Sequence, residues 1–213
     1  GWGIKDAVAA SLVIIIFSSA TGTLRSIRSE NPPDWRMTAI LASAIAPASL
    51  IGVFISNASP DYVVQVAFAA MLLALAYPTA RGGGPSEREK KMPLPLVLLA
   101  GVVIGALSGL VGIGGGTPMV ALMMLGLGLS TKRAVSTSLA ITIFVGIVSS
   151  VGYIVTGFSE LSSLPLLVVG AMAGAWLGVR LREWLPENAL RIGFAIFMVV
   201  VALRLLADAA SIL

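Results

Sequence analysis

The sequence predicts an all-α, polytopic membrane bundle, and three observations carry that prediction. The chain is 57% hydrophobic and only 11% charged, where soluble domains are roughly a quarter charged. Its apolar runs are mostly about 16 to 23 residues long, near the roughly 20 that a helix needs to cross hydrocarbon. One run, Leu94 to Leu129, is overlong and interrupted by Gly112-Ile113-Gly114-Gly115-Gly116-Thr117-Pro118. In hydrocarbon an unpaired backbone group is costly, so such a break survives only where protein or a wet cavity covers it. A discontinuous helix of this kind marks the binding site of many transporters. The bland reading of the same glycines is close helix packing.

In chain order, Ala7 to Leu24 is the first apolar run. A polar loop follows, Arg25 to Arg36, turned by Asn31-Pro32-Pro33-Asp34. Met37 to Ser56 is the second run, Asn57 to Asp61 a tight turn, and Tyr62 to Thr79 the third run. Arg81 to Pro93 is the one long hydrophilic segment and reads as a linker. The broken run comes next, then Ala134 to Thr156, Leu164 to Val179 and Ala189 to Leu203. Trp2, Trp35 and Trp184 fall near run ends, where interfacial anchors belong; Trp176 is deeper and is expected to pack inside.

The second half echoes the first. Ala7-Val8-Ala9-Ala10-Ser11-Leu12 aligns with Ala134-Val135-Ser136-Thr137-Ser138-Leu139, and Phe17 with Phe144. After a one-residue shift, the stripe Ala44, Ala48, Gly52 aligns with Gly170, Gly174, Gly178, followed by Pro60 with Pro186 and Phe68 with Phe194. Small residues at spacing four make a close-packing face, and the ordered series argues for two similar bundles. The expected units are residues 1–80 as a first repeat, 81–93 as a cytoplasmic linker and 94–213 as a second repeat. The glycine-broken run has no counterpart before Ala7, so the first repeat is expected to lack its N-terminal glycine-rich segment in this chain.

Charge decides whether the repeats are parallel or inverted. If Leu94 to Leu129 crosses once, the 14 Lys and Arg divide 6 against 8, which says nothing. If the run enters, turns at the glycines and returns, 12 share one face and only Lys5 and Arg204 lie opposite. That is a strong positive-inside signal. The 36 residues of the run would be about 54 Å long as one helix, against a core of about 30 Å. The expected fold is therefore two inverted repeats with a glycine-broken re-entrant helix. Its tip, Gly112 to Pro118, should be non-helical, and its basic loops should face the cytoplasm.

A helix restarted after glycines exposes unpaired N–H groups, and with the helix dipole these favour an anion. Gly114, Gly115, Gly116 and Thr117 are placed for this, with Thr117 read as N-cap and Pro118 as the first helical residue. Ser136, Thr137 and Ser138 offer hydroxyls near the start of the next helix, and Ser11 is the matching hydroxyl of the first half. Each hydroxyl has an equally good structural use in bonding its own or a neighbouring helix. The string is not a phosphate-binding P-loop, because no Lys-Ser/Thr follows and no strand precedes it. Arg25 and Arg28 suit a topological role more than attraction of an anion at a vestibule.

What is absent narrows the classes further. The chain has neither Cys nor His, which removes thiol chemistry, the commonest metal ligand and the commonest general base. No Asp, Glu or His interrupts an apolar run, so no titratable group is offered to a proton relay. No catalytic residue, metal site or cofactor is expected, and the basic residues, spread over short loops, do not suggest nucleic acid.

GIGGGTPMV, then Ala134-Val135-Ser136-Thr137-Ser138-Leu139, a glycine-rich helix and a Leu-Pro-x-x-x-Leu start to the last helix resemble the sulfite exporter TauE/SafE family. The match is good over about Leu94 to Leu206 and looser over Ala7 to Thr79. The resemblance implies an integral membrane protein of two related halves that exports sulfite, sulfoacetate or a similar small organosulfur anion. The expected setting is multi-pass insertion in the cell inner (plasma) membrane, with the anionic substrate and the lipid bilayer as partners and a homo-oligomer left open. The alternatives are an anion channel and a non-transporting membrane assembly subunit.

Overall fold

The computed structural model describes residues 4–56, 61–81, 92–111, 115–155 and 164–210. These residues are helical apart from short connections, and no strand occurs among them. The helices are α1 (Ile4–Ile27), α2 (Trp35–Ser56), α3 (Asp61–Arg81), α4 (Leu94–Val111), α5 (Gly116–Leu127), α6 (Thr131–Val155), α7 (Leu164–Trp184) and α8 (Glu187–Ala210). Five stretches are long and apolar enough to cross a membrane: Ala10–Ile27, Trp35–Ile55, Thr131–Gly152, Pro165–Trp184 and Glu187–Ala210.

Local chemistry sets where these helices begin and end. Asp34, after the two prolines, caps α2: its Oδ1 accepts the N–H of Met37 at 3.1 Å and its carbonyl accepts that of Thr38 at 2.8 Å. Ser130 does the same for α6, accepting the N–H of Ala134 on its carbonyl (2.8 Å) and that of Arg133 on its Oγ (3.4 Å). Gly128, left-handed at φ 68°, ends α5 by donating its N–H to the Met123 carbonyl. Glu187 puts a negative charge in the first turn of α8, where the dipole favours it.

The helices pair as α2 on α4, α3 on α8, α1 on both α6 and α7, and α2 on α6. α1 and α6 run antiparallel, since Gly22 lies beside Leu139 while Gly146 lies beside Leu12 and Ile16. α4 and α5 form an antiparallel hairpin. Gly115 sits against Ser108 and Ile104, Gly126 against Val97 and Met92, and the Met92 N–H donates to the Gly126 carbonyl at 3.0 Å.

α5 is the buried centre. Pro118 through Met124 and Gly126 are all buried, so this 12-residue helix, too short to span, is wrapped by protein. Leu41 and Ile45 of α2, Val97 and Ile104 of α4, and Ile141 and Val145 of α6 pack with its Met119, Val120 and Met123. On its other side Ala121 joins Leu72, Ala76, Met198 and Ala202 of α3 and α8. The outward faces of α7 and α8 instead expose Leu166, Val169, Leu177, Ile196, Phe197 and Val200, the surface a bilayer would cover.

Two sequence expectations need correction here. Thr117 is not the N-cap and Pro118 is not the first helical residue. Gly115 caps α5 at φ 65°, α5 starts at Gly116, and Thr117 and Pro118 are second and third. The left-handed turn suits glycine, and proline fits anywhere in a first turn, whose N–H groups have no acceptor one turn back. Gly116 to Pro118 are thus helical; residues 112–114 lie outside the described residues. The second correction is Trp176, which is 42% exposed rather than packed inside, with the guanidinium groups of Arg25 and Arg180 at 5.5 and 5.9 Å from its ring.

One end of the bundle carries a polar network that ties three connections together. The Asp34 N–H donates to Thr137 Oγ1 (3.0 Å) and its carboxylate meets Arg133 at 3.6 Å. Ser136 Oγ donates to the Asn31 carbonyl (2.6 Å), Lys132 Nζ to the Glu183 carbonyl (3.0 Å), and the Thr131 N–H to Glu187. The α1–α2, α5–α6 and α7–α8 connections therefore share an end. Arg28, Arg36, Lys132, Arg133 and Arg182 lie in these connections or within about two turns of them.

Candidate functional site

The first turn of α5 meets a cavity of about 250 Å³. Three helices supply its polar wall: Ser18 and Ser19 from α1, Gly116 and Thr117 from α5, and Ser138 and Thr142 from α6; Val120, Leu139 and Phe194 are among its apolar walls. Among the described residues, no acidic or basic side chain lines it.

Elementary helix chemistry decides what α5 presents there. The Met119 N–H donates to the Gly115 carbonyl at 3.1 Å, and proline has no N–H. The N–H groups of Gly116 and Thr117 are therefore left without an intrahelical acceptor. A Cβ added to Gly116 would approach only Thr142 Oγ1 (3.8 Å) and Ser138 Oγ (3.9 Å). The backbone of Gly116 is thus bare toward two hydroxyls, as close contact with a ligand requires. Ser138 Oγ donates to the Gly116 carbonyl at 2.8 Å, which locks α6 to the start of α5 and leaves the oxygen as an acceptor. Ser18 Oγ donates to the Ile15 carbonyl of its own helix (3.2 Å). Behind the turn, Ser108 Oγ is buried without a hydrogen-bond partner, 3.2 Å from where a Gly115 Cβ would stand.

The residues singled out from sequence divide into three groups. Gly116, Thr117 and Ser138 line this cavity; Gly115 caps the helix behind them and Pro118 is buried in its first turn. Ser136 and Thr137 lie elsewhere, in the polar network at the loop end, where Ser136 bonds the Asn31 and Lys132 carbonyls and Thr137 bonds the Arg133 carbonyl. Ser11 lies on α1 about two turns from Ser18 and is not among the lining residues. Gly114 falls outside the described residues.

Sequence reading missed Ser18, Ser19 and Thr142. Thr142 stands four residues after Ser138 and so shares its face of α6; following that face would have found it. Ser18 and Ser19 carry no such signal. They join the site because α1 and α6 are antiparallel, and sequence alignment of the halves selects Ser11 instead.

Several known proteins are similar over most of the chain. The "Probable membrane transporter protein YunE" of Bacillus subtilis is 25% identical over 94% of this chain and 80% of its own length. The same organism's "Probable membrane transporter protein YdhB" is 24% identical over 95% and 85% respectively. A "Probable membrane transporter protein" of Haemophilus influenzae is 28% identical over 80% and 69%. No solved structure matches the chain. The sequence model of the family described as "Sulfite exporter TauE/SafE" matches residues 2–205, both halves of the molecule. A multi-pass helical bundle built around a buried, glycine-capped helix, matched by that family almost end to end, belongs to the sulfite exporter TauE/SafE family of membrane transporters.

Proposed function

We propose that this transporter exports a small anion, sulfite or an organosulfonate such as sulfoacetate, across the cell inner (plasma) membrane. The observation that carries the reading is the cavity at the first turn of α5, where unpaired N–H groups meet hydroxyls from α1 and α6 and no acid is present among the described residues. Helix N-terminal dipoles and hydroxyls attract an anion, and no carboxylate is there to repel it. The volume, about 250 Å³, falls below the roughly 300–1,000 Å³ of sites for drug-sized ligands, which suits a small ion. The family's own description names sulfite. Exit of an anion from a negative-inside cell is favoured by about 2.3 kcal/mol per charge per 100 mV. The anion takes the Gly116 and Thr117 N–H groups and the hydroxyls of Ser18, Ser19, Ser138 and Thr142, with Ser138 and Ser18 turning from the Gly116 and Ile15 carbonyls to donate to it, and Gly115 and Pro118 shape the turn.

Two features support a re-entrant, inverted design. α4 and α5 run antiparallel and bring Met92 and Gly126 to one level, as a segment that enters and returns would. α1 against α7 is the counterpart of α6 against α2, with α1 and α6 antiparallel, as an in-plane two-fold axis requires. The basic connections then form the cytoplasmic face.

The decisive experiment is Gly116→Leu in proteoliposomes loaded with sulfite or sulfoacetate. The side chain fills the cavity between Ser138 and Thr142 without striking backbone, so the variant should melt normally and transport neither anion. A folded Gly116→Leu protein with the normal rate would move the site elsewhere. Counterflow separates a carrier from a channel, since only the carrier shows it. Orientation is checked with single cysteines, which the Cys-free chain permits. An impermeant reagent applied to intact cells should label Arg204→Cys and spare Arg28→Cys; the reverse pattern would invert the assigned topology.

A further inference from the structure

The polar network at the loop end contains a charge whose placement topology alone does not explain. Arg182, near the end of α7, is only 4% exposed. Its Nη1 donates to Ser136 Oγ at 2.7 Å and to the Lys132 carbonyl at 3.2 Å, and its Nη2 reaches Ser29 Oγ at 3.5 Å. Its Nε has no partner. Every group that holds the guanidinium is neutral, and Glu183, the next residue, has a buried Oε1 that itself bonds nothing. The ion pair at this end joins other residues, Arg133 and Asp34. A positional charge needs only to sit in the loop water, as Arg28 and Arg36 do by being exposed. Burying one without a bonded carboxylate is costly; the nearby charge of Glu183 offsets part of that cost but leaves the Nε–H without an acceptor.

Arg182 lines a second cavity, of about 270 Å³, in which it is the only polar side chain among the described lining residues. Its walls include Val135, Leu139 and Phe194, which also wall the cavity at the tip of α5. Two chambers thus share one partition. The inner chamber is apolar with a single cation, and the deeper one is lined with hydroxyls and helix N–H groups.

We infer that Arg182 is a second anion-binding station, on the cytoplasmic side of the tip cavity, which captures a small oxyanion before it passes Leu139 and Phe194. The chemical class is a compact sulfur oxyanion or sulfonate, whose oxygens suit the planar donor fork of a guanidinium. The inference rests on the anion-export reading above. It adds a residue and a direction: Arg182 acts on substrate arriving from the cytoplasm. Ser136 and Ser29 orient the guanidinium, which gives Ser136 a use one step removed from the ligand.

The test uses the full chain in proteoliposomes, with labelled sulfite presented at either face. Arg182→Gln should raise the half-saturating sulfite concentration at the cytoplasmic face about tenfold, the effect of losing one charged hydrogen bond, and leave the outer face within about twofold. Arg182→Lys should recover most of that loss, because charge is kept, whereas a merely structural staple needs the fork and would not be rescued. Gly178→Leu is the second variant. No atom stands within 4 Å of its new Cβ, so it crowds the chamber with Arg182 and its bonds in place, and cytoplasmic-side transport should slow about tenfold. A folded Arg182→Gln protein with normal half-saturation at both faces overturns the inference. If Arg182→Gln does not fold, normal transport by Gly178→Leu overturns it instead. Wild-type protein that moves neither sulfite nor sulfoacetate fails the export reading itself, a distinct result.

Discussion

α2 and α7 carry the same stripe of small residues and end in opposite situations. On α2, Ala48 and Gly52 are buried; Gly52 meets Ala106 and Leu110 of α4, whose Gly105 and Gly109 in turn meet Ile45 and Ser49 of α2. The approach is backbone to backbone: a Cβ on Gly52 would overlap the Ala106 carbonyl, and one on Gly109 the Ser49 carbonyl. On α7, Gly170, Gly174 and Gly178 have nothing within 4 Å of where a Cβ would stand. A stripe of small residues states how near a helix can be approached, and a matching stripe on a neighbour decides whether it is. α4 supplies that match to α2; α1 packs on α7 but leaves its glycines bare. The closed pair is what holds the α4–α5 hairpin, and with it the tip, in place.

The comparison can be broken most sharply at its closed end. Gly109→Leu should destabilise by about 3 kcal/mol or more, since the displaced atoms are backbone and cannot rotate away; monodisperse yield and a thermal melt report it. A well-folded Gly109→Leu protein would mean that α2 and α4 are not in backbone contact.

The tip comes next. Gly115→Ala forces a side chain into the left-handed region, which costs about 1–2 kcal/mol, and brings its Cβ 3.2 Å from Ser108 Oγ. Gly115→Asn should lose less, because asparagine tolerates that conformation better. Equal melts for the two would show that crowding, not backbone angle, sets the cost.

Ser138→Ala is smaller. Loss of the bond to Gly116 should cost about 0.5–1.5 kcal/mol in the free protein, and binding up to about 3 kcal/mol if the hydroxyl also meets a charged ligand. Sulfite-dependent melting separates the two: a shift that is unchanged by the substitution removes Ser138 from the site.

The smallest effect belongs to the open stripe. Gly174→Leu should change stability by no more than about 0.5 kcal/mol, as surface substitutions do. A loss as large as that of Gly109→Leu would reveal a helix seated on this face in the membrane. Crosslinking through a cysteine at 174 would then tell a second copy of the chain from another partner.

Composition, run length and the lack of acidic residues within runs were enough to determine an all-helical membrane protein, because hydrocarbon permits few other solutions. The glycine cluster marked where α4 and α5 part, and Asn-Pro-Pro-Asp marked the turn before α2, because these are local properties of the backbone. Gly116, Thr117 and Ser138 were legible for the same reason: they belong to the restart of α5 and to the helix that follows it.

Residues that meet only through packing were not legible. Ser18 and Ser19 became part of the cavity through the antiparallel pairing of α1 with α6, which no spacing within either helix encodes. Ser136 and Thr137 went the other way, since a turn of helix separates the face toward the cavity from the face toward the α1–α2 loop. Arg182 looked like one more loop charge until α6 and the α1–α2 connection closed over it. Sequence alone raised the expectation that a break within an apolar run needs cover; tertiary structure decided which helices wrap α5 and which hydroxyls and which cation stand near it. The physical reason is that burial in lipid constrains each segment separately, while a site is a property of distances between segments.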